Sequence, residues 1–234
     1  MQLFYNPNIS ENDTTINFDK DESRHIIKVL RKSVDDILHI TNGNGWLFTA
    51  KLITAEQKHC IAAIVDKKHH APRNYKLHLA VAPTKMNDRF EWFLEKATEI
   101  GIETITPILC DHSERKFIKS ERFEKILQSA MKQSLQFYLP ELKPLTTFKD
   151  FISQEFIGQK FIAHCEETDR KSLKSQIKPH TDITILIGPE GDFSENEIIT
   201  AIASGFIPVT LGETRLRTET AAIAACHSVV FSNE

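Results

Sequence analysis

TILIGPEGDFSENEI, residues 184–198, and LGETRLRTETAAIAA, residues 211–225, are the stretches whose reading decides the fold. In each, a short apolar run (184–187 and 207–210) leads into a glycine-marked loop and then into a helix start. Ser194 and Glu197 have capping-box spacing, serine at the N-cap and glutamate three residues on. Loop 188–193 therefore joins the C-terminal end of a strand to a helix, the edge of an open α/β sheet where ligands bind. Gly188 and Gly191 permit tight turning and close approach of a ligand to the backbone. A phosphate cradle would need Gly-Lys-Ser/Thr at the helix start, which is missing, and Glu190 would repel phosphate. The loop suits a ligand that is neutral or cationic where it meets the chain. The second loop, 211–217, ends at Thr218, read as an N-cap with Glu219 in the first helical turn. Ala221, Ala222, Ala224 and Ala225 give that helix a small face for close packing.

Upstream, strands and helices alternate, which predicts an α/β layer with a largely parallel sheet. Strands are read at 76–81, 104–109, 160–164 and 184–187, and a helix at 88–100 with Gly101 just past its end. Residues 121–137 carry Phe123, Ile126, Leu127, Ala130, Met131, Ser134 and Phe137 on one face, a helix ended by Pro140. Its Phe/Met stripe reads as core or subunit interface.

Residues 1–70 look β-rich. Runs 37–41 and 46–53 flank Asn42-Gly43-Asn44-Gly45, a hairpin signal, and 60–65 is a third strand. A helix is read at 21–30. This is a small mixed barrel-like module of a kind that often holds RNA. The polar segment 67–74, KKHHAPRN, marks the boundary, with domains at 1–70 and 74–234.

The 234 residues are 41% hydrophobic and 26% charged, an ordinary globular composition. No run approaches the ~20 apolar residues of a membrane span. The opening MQLFYNPNIS lacks a basic region followed by an apolar core, so no secretory signal is read and cytoplasm is the expected location. Cys60, Cys110, Cys165 and Cys226 are scattered, and the ten histidines form no ligand motif, so no metal is expected. A net charge of −3 argues against non-specific coating of nucleic acid but leaves a specific RNA substrate open. Lys28, Arg31 and Lys32 form one basic cluster, Lys67, Lys68 and Arg73 a second, and Arg115, Lys116, Lys119 and Arg122 a third.

GPEGDFSENEI together with LGETRLRTETA resembles the S-adenosylmethionine-binding half of the SPOUT methyltransferases. More narrowly it is similar to the ribosomal small subunit methyltransferase E family, which methylates N3 of a uridine in 16S rRNA. KATEIGIETITPIL (96–109) and ERFEKILQSAMKQSLQFYLPEL (121–142) extend the likeness over the whole chain in the right order. The resemblance implies a PUA-like N-terminal RNA-binding β-barrel and a catalytic domain with a deep C-terminal trefoil knot. It also implies a homodimer that uses S-adenosylmethionine and acts on 16S rRNA of the small ribosomal subunit. Two departures stand out. Asp192 occupies the place where the family usually has a third glycine, and Leu-Gln-Phe follows Gln133-Ser134 where many members carry an arginine.

Carried over by position, the cofactor-binding residues are Leu186, Ile187, Gly188, Pro189, Glu190, Gly191, Leu211, Gly212, Leu216, Arg217 and Thr220. Arg217 is the candidate for stabilising charge on the uracil carbonyls, because a fixed cation favours an imide anion. Glu219 and Glu99 are the candidate carboxylates for orienting groups or taking the N3 proton. Arg24, Lys28, Arg31, Lys85, Arg89 and Arg115 are the RNA-binding candidates. The alternatives are a SPOUT methyltransferase acting on another rRNA or tRNA nucleotide, and a non-catalytic RNA-binding assembly factor.

Overall fold

The computed structural model describes residues 1–166 and 169–234. The chain divides into two compact units, one of residues 1–72 and 131–139, the other of 73–130 and 140–234.

The first unit is a five-stranded sheet of β1 (Leu3–Tyr5), β2 (Thr15–Phe18), β3 (Ile37–Thr41), β4 (Trp46–Glu56) and β5 (His59–His69). Its order is β1-β3-β4-β5-β2, with β1 parallel to β3 and the other pairs antiparallel. Alternation along β4 turns Phe48, Ala50 and Leu52 into a core shared with Phe4, Phe18, Ile26, Leu38 and Ile40. Register shifts between Thr49 and Ala50 and between Leu52 and Thr54 bend β4, and the sheet curls into a half-barrel, the form the expected barrel-like module takes. The turn at 42–45 joins β3 to β4 as its sequence predicts. Gly45 has φ +88, and a Cβ there would collide with the Tyr138 hydroxyl at 2.3 Å. The short strands β1 and β2 escape the sequence reading. The helix expected at 21–30 is α1 (Lys20–Arg24) continued by a π turn over His25–Val29.

The second unit is a parallel sheet. Its strands are β6 (Leu77–Val81), β7 (Thr104–Leu109), β8 (Glu141–Leu142), β9 (Thr146–Thr147), β10 (Gln159–Ala163), β11 (Lys171–Ser172), β12 (Ile183–Ile187) and β13 (Ile207–Thr210). The order is β11-β13-β10-β12-β6-β7-β8, with β9 beside the end of β7. β12 lies at the centre and is buried along its whole length, which explains why its sequence, Ile183-Thr184-Ile185-Leu186-Ile187, is apolar but for one threonine. Helix α2 (Asn87–Ile100) buries Phe90, Phe93, Leu94 and Ala97, and Gly101 closes it at φ +106.

Helix α3 (Ser120–Gln133) stops short of the expected Phe137. Leu135 takes φ +57 and Gln136 N donates to Met131 O at 3.1 Å, so a left-handed residue ends the helix, not Pro140. After the short α4 (Phe148–Ile152) and α5 (Leu173–Gln176) comes α6 (Glu195–Ala203), whose capping box is complete. In α7 (Thr218–Phe231), Ala222 and Ala225 are fully buried, and the helix packs on α2, β6 and β12. Among the described residues no helix is long and apolar enough to cross a membrane.

Candidate functional site

Because neighbouring strands are parallel, the loops that follow them emerge at one edge. Ala163 of β10 pairs in register with Ile187 of β12 on one side and Val209 of β13 on the other. These three residues line a cavity of about 560 Å³. The loops after β12 and β13 supply two walls, and His164, Cys165 and Arg170 supply a third.

The first loop is clamped from behind. Asp192 N donates to Pro189 O at 3.0 Å, closing a turn. His112 Nδ1 lies 3.0 Å from the carbonyls of both Gly191 and Asp192. Glu190 Oε1 accepts from Lys85 N at 2.9 Å. Ser194 Oγ donates to Asp111 Oδ2 at 2.6 Å, and Glu197 Oε1 accepts from Asp111 N at 3.0 Å. Glu190 thus has a structural partner within the chain.

The two glycines have close neighbours within the protein. Neither Gly188 nor Gly191 has a positive φ. A Cβ on Gly188 would lie 3.0 Å from the Phe193 ring, and one on Gly191 would lie 3.1 Å from His112 Cβ. Their close neighbours are side chains of the protein itself. The left-handed residue of the loop is Asp192, at φ +64. Its Oδ2 accepts from Cys165 N at 2.6 Å and its Oδ1 from Phe193 N at 2.9 Å, which ties the loop to the end of β10.

Thr218 is not the N-cap. Arg217 holds that position, without a side-chain cap bond, and Thr218 is the first residue of α7. Its buried hydroxyl donates to Gly188 O at 3.1 Å and fastens the second loop to the first. In the second loop Gly212 has φ +146, and a Cβ there would meet no atom within 4 Å.

Of the cofactor candidates, Ile187, Gly188, Pro189, Glu190, Leu211, Gly212, Leu216 and Arg217 line the cavity. Leu186 lies beneath, fully buried in β12, Gly191 faces His112, and Thr220 is an exposed residue of the first turn of α7. Arg217 is exposed on the cavity wall. Glu219 is 8% exposed, its Oε1 is 3.9 Å from Arg89 Nε, and its buried Oε2 meets no donor among the described residues. Glu99 sits on α2, away from the cavity lining, 2.9 Å from Lys96 Nζ.

Among the basic candidates, Lys85 pairs with Glu114 at 2.8 Å. Arg115 donates to Thr84 O at 3.0 Å and Lys85 O at 2.7 Å. Arg24, Lys28 and Arg31 are exposed in the first unit.

The sequence reading missed the third wall. His164 is buried, and that burial holds its pKa below the usual histidine value. Burial, followed by the charge of Asp192, pushes the Cys165 thiol up. The apolar-to-polar switch at the end of β10 was the available signal. Among the described residues no group of three or more His, Cys, Asp or Glu side chains could hold a metal ion.

Residues 71–230 match the RNA methyltransferase domain family and residues 18–65 the RNA methyltransferase PUA domain. The ribosomal RNA small subunit methyltransferase E of Buchnera aphidicola is 35% identical over 92% of this chain and 88% of its own length. The crystal structure of a probable rRNA-methyltransferase from Porphyromonas gingivalis superposes with TM-score 0.90 at 40% identity, covering 97% of this chain and 95% of that one. The ribosomal RNA small subunit methyltransferase E of Neisseria gonorrhoeae, bound to S-adenosyl methionine, gives TM-score 0.84 at 27% identity over 100% and 98% of the two chains. With its parallel sheet, its paired loops and these relatives together, the chain belongs to the ribosomal RNA small subunit methyltransferase E family.

Proposed function

We propose that this protein transfers a methyl group from S-adenosylmethionine to N3 of a specific uridine in 16S rRNA of the small ribosomal subunit. The observation that carries the reading is the cavity at the ends of β10, β12 and β13, enclosed by the two loops that Thr218 joins to each other. Its residues fit the methyl donor. Ile187, Val209, Leu211 and Leu216 offer apolar surface to an adenine, while Asp192, Arg170 and Arg215 offer both signs of charge. A volume of about 560 Å³ is within the range of small-molecule sites. When bound, the cofactor supplies an electrophilic methyl on a sulfonium.

The chain must supply the rest. N3 of uridine carries a proton near neutral pH, and each unit of pKa lowering at that nitrogen corresponds to about 1.4 kcal/mol. Arg217 is exposed on the cavity wall, and in this reading its fixed charge meets the uracil carbonyls and favours the deprotonated base. Glu219 follows it in the first turn of α7, with one carboxylate oxygen towards Arg89 and the other without a donor among the described residues. In this reading Glu219, next in sequence to the cavity-lining Thr218, is preferred to Glu99, which Lys96 engages.

Residues 1–70 serve in this reading as the RNA-binding domain, presenting Arg24, Lys28 and Arg31, and residues 74–234 as the catalytic domain, adding Lys85, Arg89 and Arg115. The working form is a homodimer in the cytoplasm. A C-terminal trefoil knot is part of the proposal. Its support is that β13 pairs with β10 on the side away from β12, while α7 returns to pack on β12 and β6. The test has two arms. Calorimetry detects S-adenosylmethionine binding, and nucleoside mass spectrometry of 16S rRNA from a deletion strain detects loss of 3-methyluridine. Persistence of 3-methyluridine at its normal level overturns the uridine-N3 assignment.

A further inference from the structure

The third wall of the cavity is the part of the site that no motif announced. Asp192 Oδ2 accepts from Cys165 N at 2.6 Å, and Arg170 donates to the carbonyl of His164, the residue before Cys165. Asp192, Cys165 and Arg170 all line the cavity, and Arg215 lines it from the second loop. One end of the cavity therefore holds a carboxylate and a guanidinium group, whereas Ile187, Leu211 and Leu216 line it with apolar surface. A neutral nucleobase has no need of such an end. An α-amino acid, with its ammonium and carboxylate on one carbon, matches it.

The two arginines are not equivalent. Arg215 is exposed in the second loop and makes no hydrogen bond to another described residue. Arg170 is half-buried and anchored, its Nη1 donating to the His164 carbonyl. Among the described residues its buried Nε meets no acceptor. A guanidinium fixed at one corner, with donors to spare, is pre-organised for a planar, two-oxygen acceptor. Burial lowers the pKa of His164 beside it.

We propose that Arg170 binds the carboxylate of the amino-acid end of S-adenosylmethionine and selects for cofactors that carry it. This rests on the proposed methyl-donor site and adds a residue to it. Asp192 faces the same end and favours the adjacent ammonium.

The experiment is calorimetry on the full chain with S-adenosylmethionine and with its decarboxylated form, which keeps the sulfonium, the adenosine and an amine. The wild type is expected to prefer S-adenosylmethionine tenfold or more. Arg170→Ala should weaken S-adenosylmethionine binding by a similar factor, leave the decarboxylated compound unchanged, and so abolish the preference. Arg170→Lys should restore part of it. Arg215→Ala should keep the preference, and unfolding curves confirm that each variant is folded. A preference that survives in Arg170→Ala, or that vanishes only in Arg215→Ala, overturns the assignment. So does an Arg170→Ala protein that binds both compounds normally and loses affinity only for an RNA fragment, since the anion read would then be a phosphate. A wild type that binds both compounds equally also rejects the role while leaving the methyl-donor site intact; a wild type that binds neither rejects that site itself.

Discussion

The backbone at Asp192 is left-handed, at φ +64, the region that favours glycine, so Asp192→Gly invites the expectation of a more stable protein. The structure argues the reverse. An L-residue in this region costs about 1–2 kcal/mol, and Asp is among the side chains that tolerate it best, so the relief is at the low end of that range or below. Glycine also loses more chain entropy on folding, which offsets about 0.5–1 kcal/mol of the relief. Against this, the substitution deletes a carboxylate that accepts from Cys165 N at 2.6 Å and from Phe193 N at 2.9 Å. Hydrogen bonds to a charged group contribute roughly 1.5–3 kcal/mol each, and the half-exposed position puts both at the low end. The net expectation is a loss of about 1–3 kcal/mol. For a chain of this length that lowers Tm by roughly 2–4 °C per kcal/mol. Asp192→Asn, which keeps an acceptor and the tolerance for positive φ, should lose less than half as much. Urea unfolding at neutral pH reads the stability, and calorimetry with S-adenosylmethionine reads the loop. A glycine variant as stable as the wild type, with unchanged affinity, would refute the claim that this carboxylate holds the loop to β10.

Thr218→Val removes the hydroxyl that joins the loops at 3.1 Å and leaves a buried carbonyl short of that donor, so it should cost about 1–3 kcal/mol in urea unfolding and weaken cofactor binding; unaltered values in both assays would remove the link. Arg217→Ala should lower the single-turnover methylation rate about a hundredfold while calorimetry shows cofactor affinity within a few-fold of wild type; retained affinity with full turnover would exclude the charge role. Burial raises the Glu103 pKa to about 7 from 4.5, the strongest opposing influence being the hydrogen bond from Leu77 N. A raised acid favours the folded state while protonated, so its contribution, up to about 3 kcal/mol, is complete below pH 4.5 and lost as pH rises through 7. Glu103→Gln should flatten the unfolding free energy between those limits, and an unchanged pH profile would show that Glu103 is not its source.

What could be read from the sequence was what is local. The capping box at Ser194 and Glu197, the hairpin glycines at 42–45 and the αL stop at Gly101 each depend on residues within a few positions. They formed where their chemistry put them. The end of α3 failed because the residue that takes the left-handed stop is Leu135, a side chain with no propensity to announce it. Gly188 and Gly191 were legible as necessary glycines, but their neighbours, Phe193 and His112, could be identified only in three dimensions. The same holds for the third wall of the cavity. His164, Cys165 and Arg170 reach the site because β10 lies between β12 and β13, and strand order in a parallel sheet is set by crossovers rather than by any residue near the loop.

The clamp behind the first loop bears on how this gene can change length. Surface connections ordinarily absorb insertions and deletions with little harm. Here the connection after β7 places Asp111 against Ser194 and Glu197, and His112 against two carbonyls of the following turn. One residue added between Asp111 and His112 lengthens the chain by up to 3.8 Å, more than the reach of either set of hydrogen bonds. The connection after β6 is bound in the same way through Lys85 N and Glu190. Both short segments, though neither carries a glycine motif, are therefore the places where the chain should tolerate indels least, and length variation should collect elsewhere.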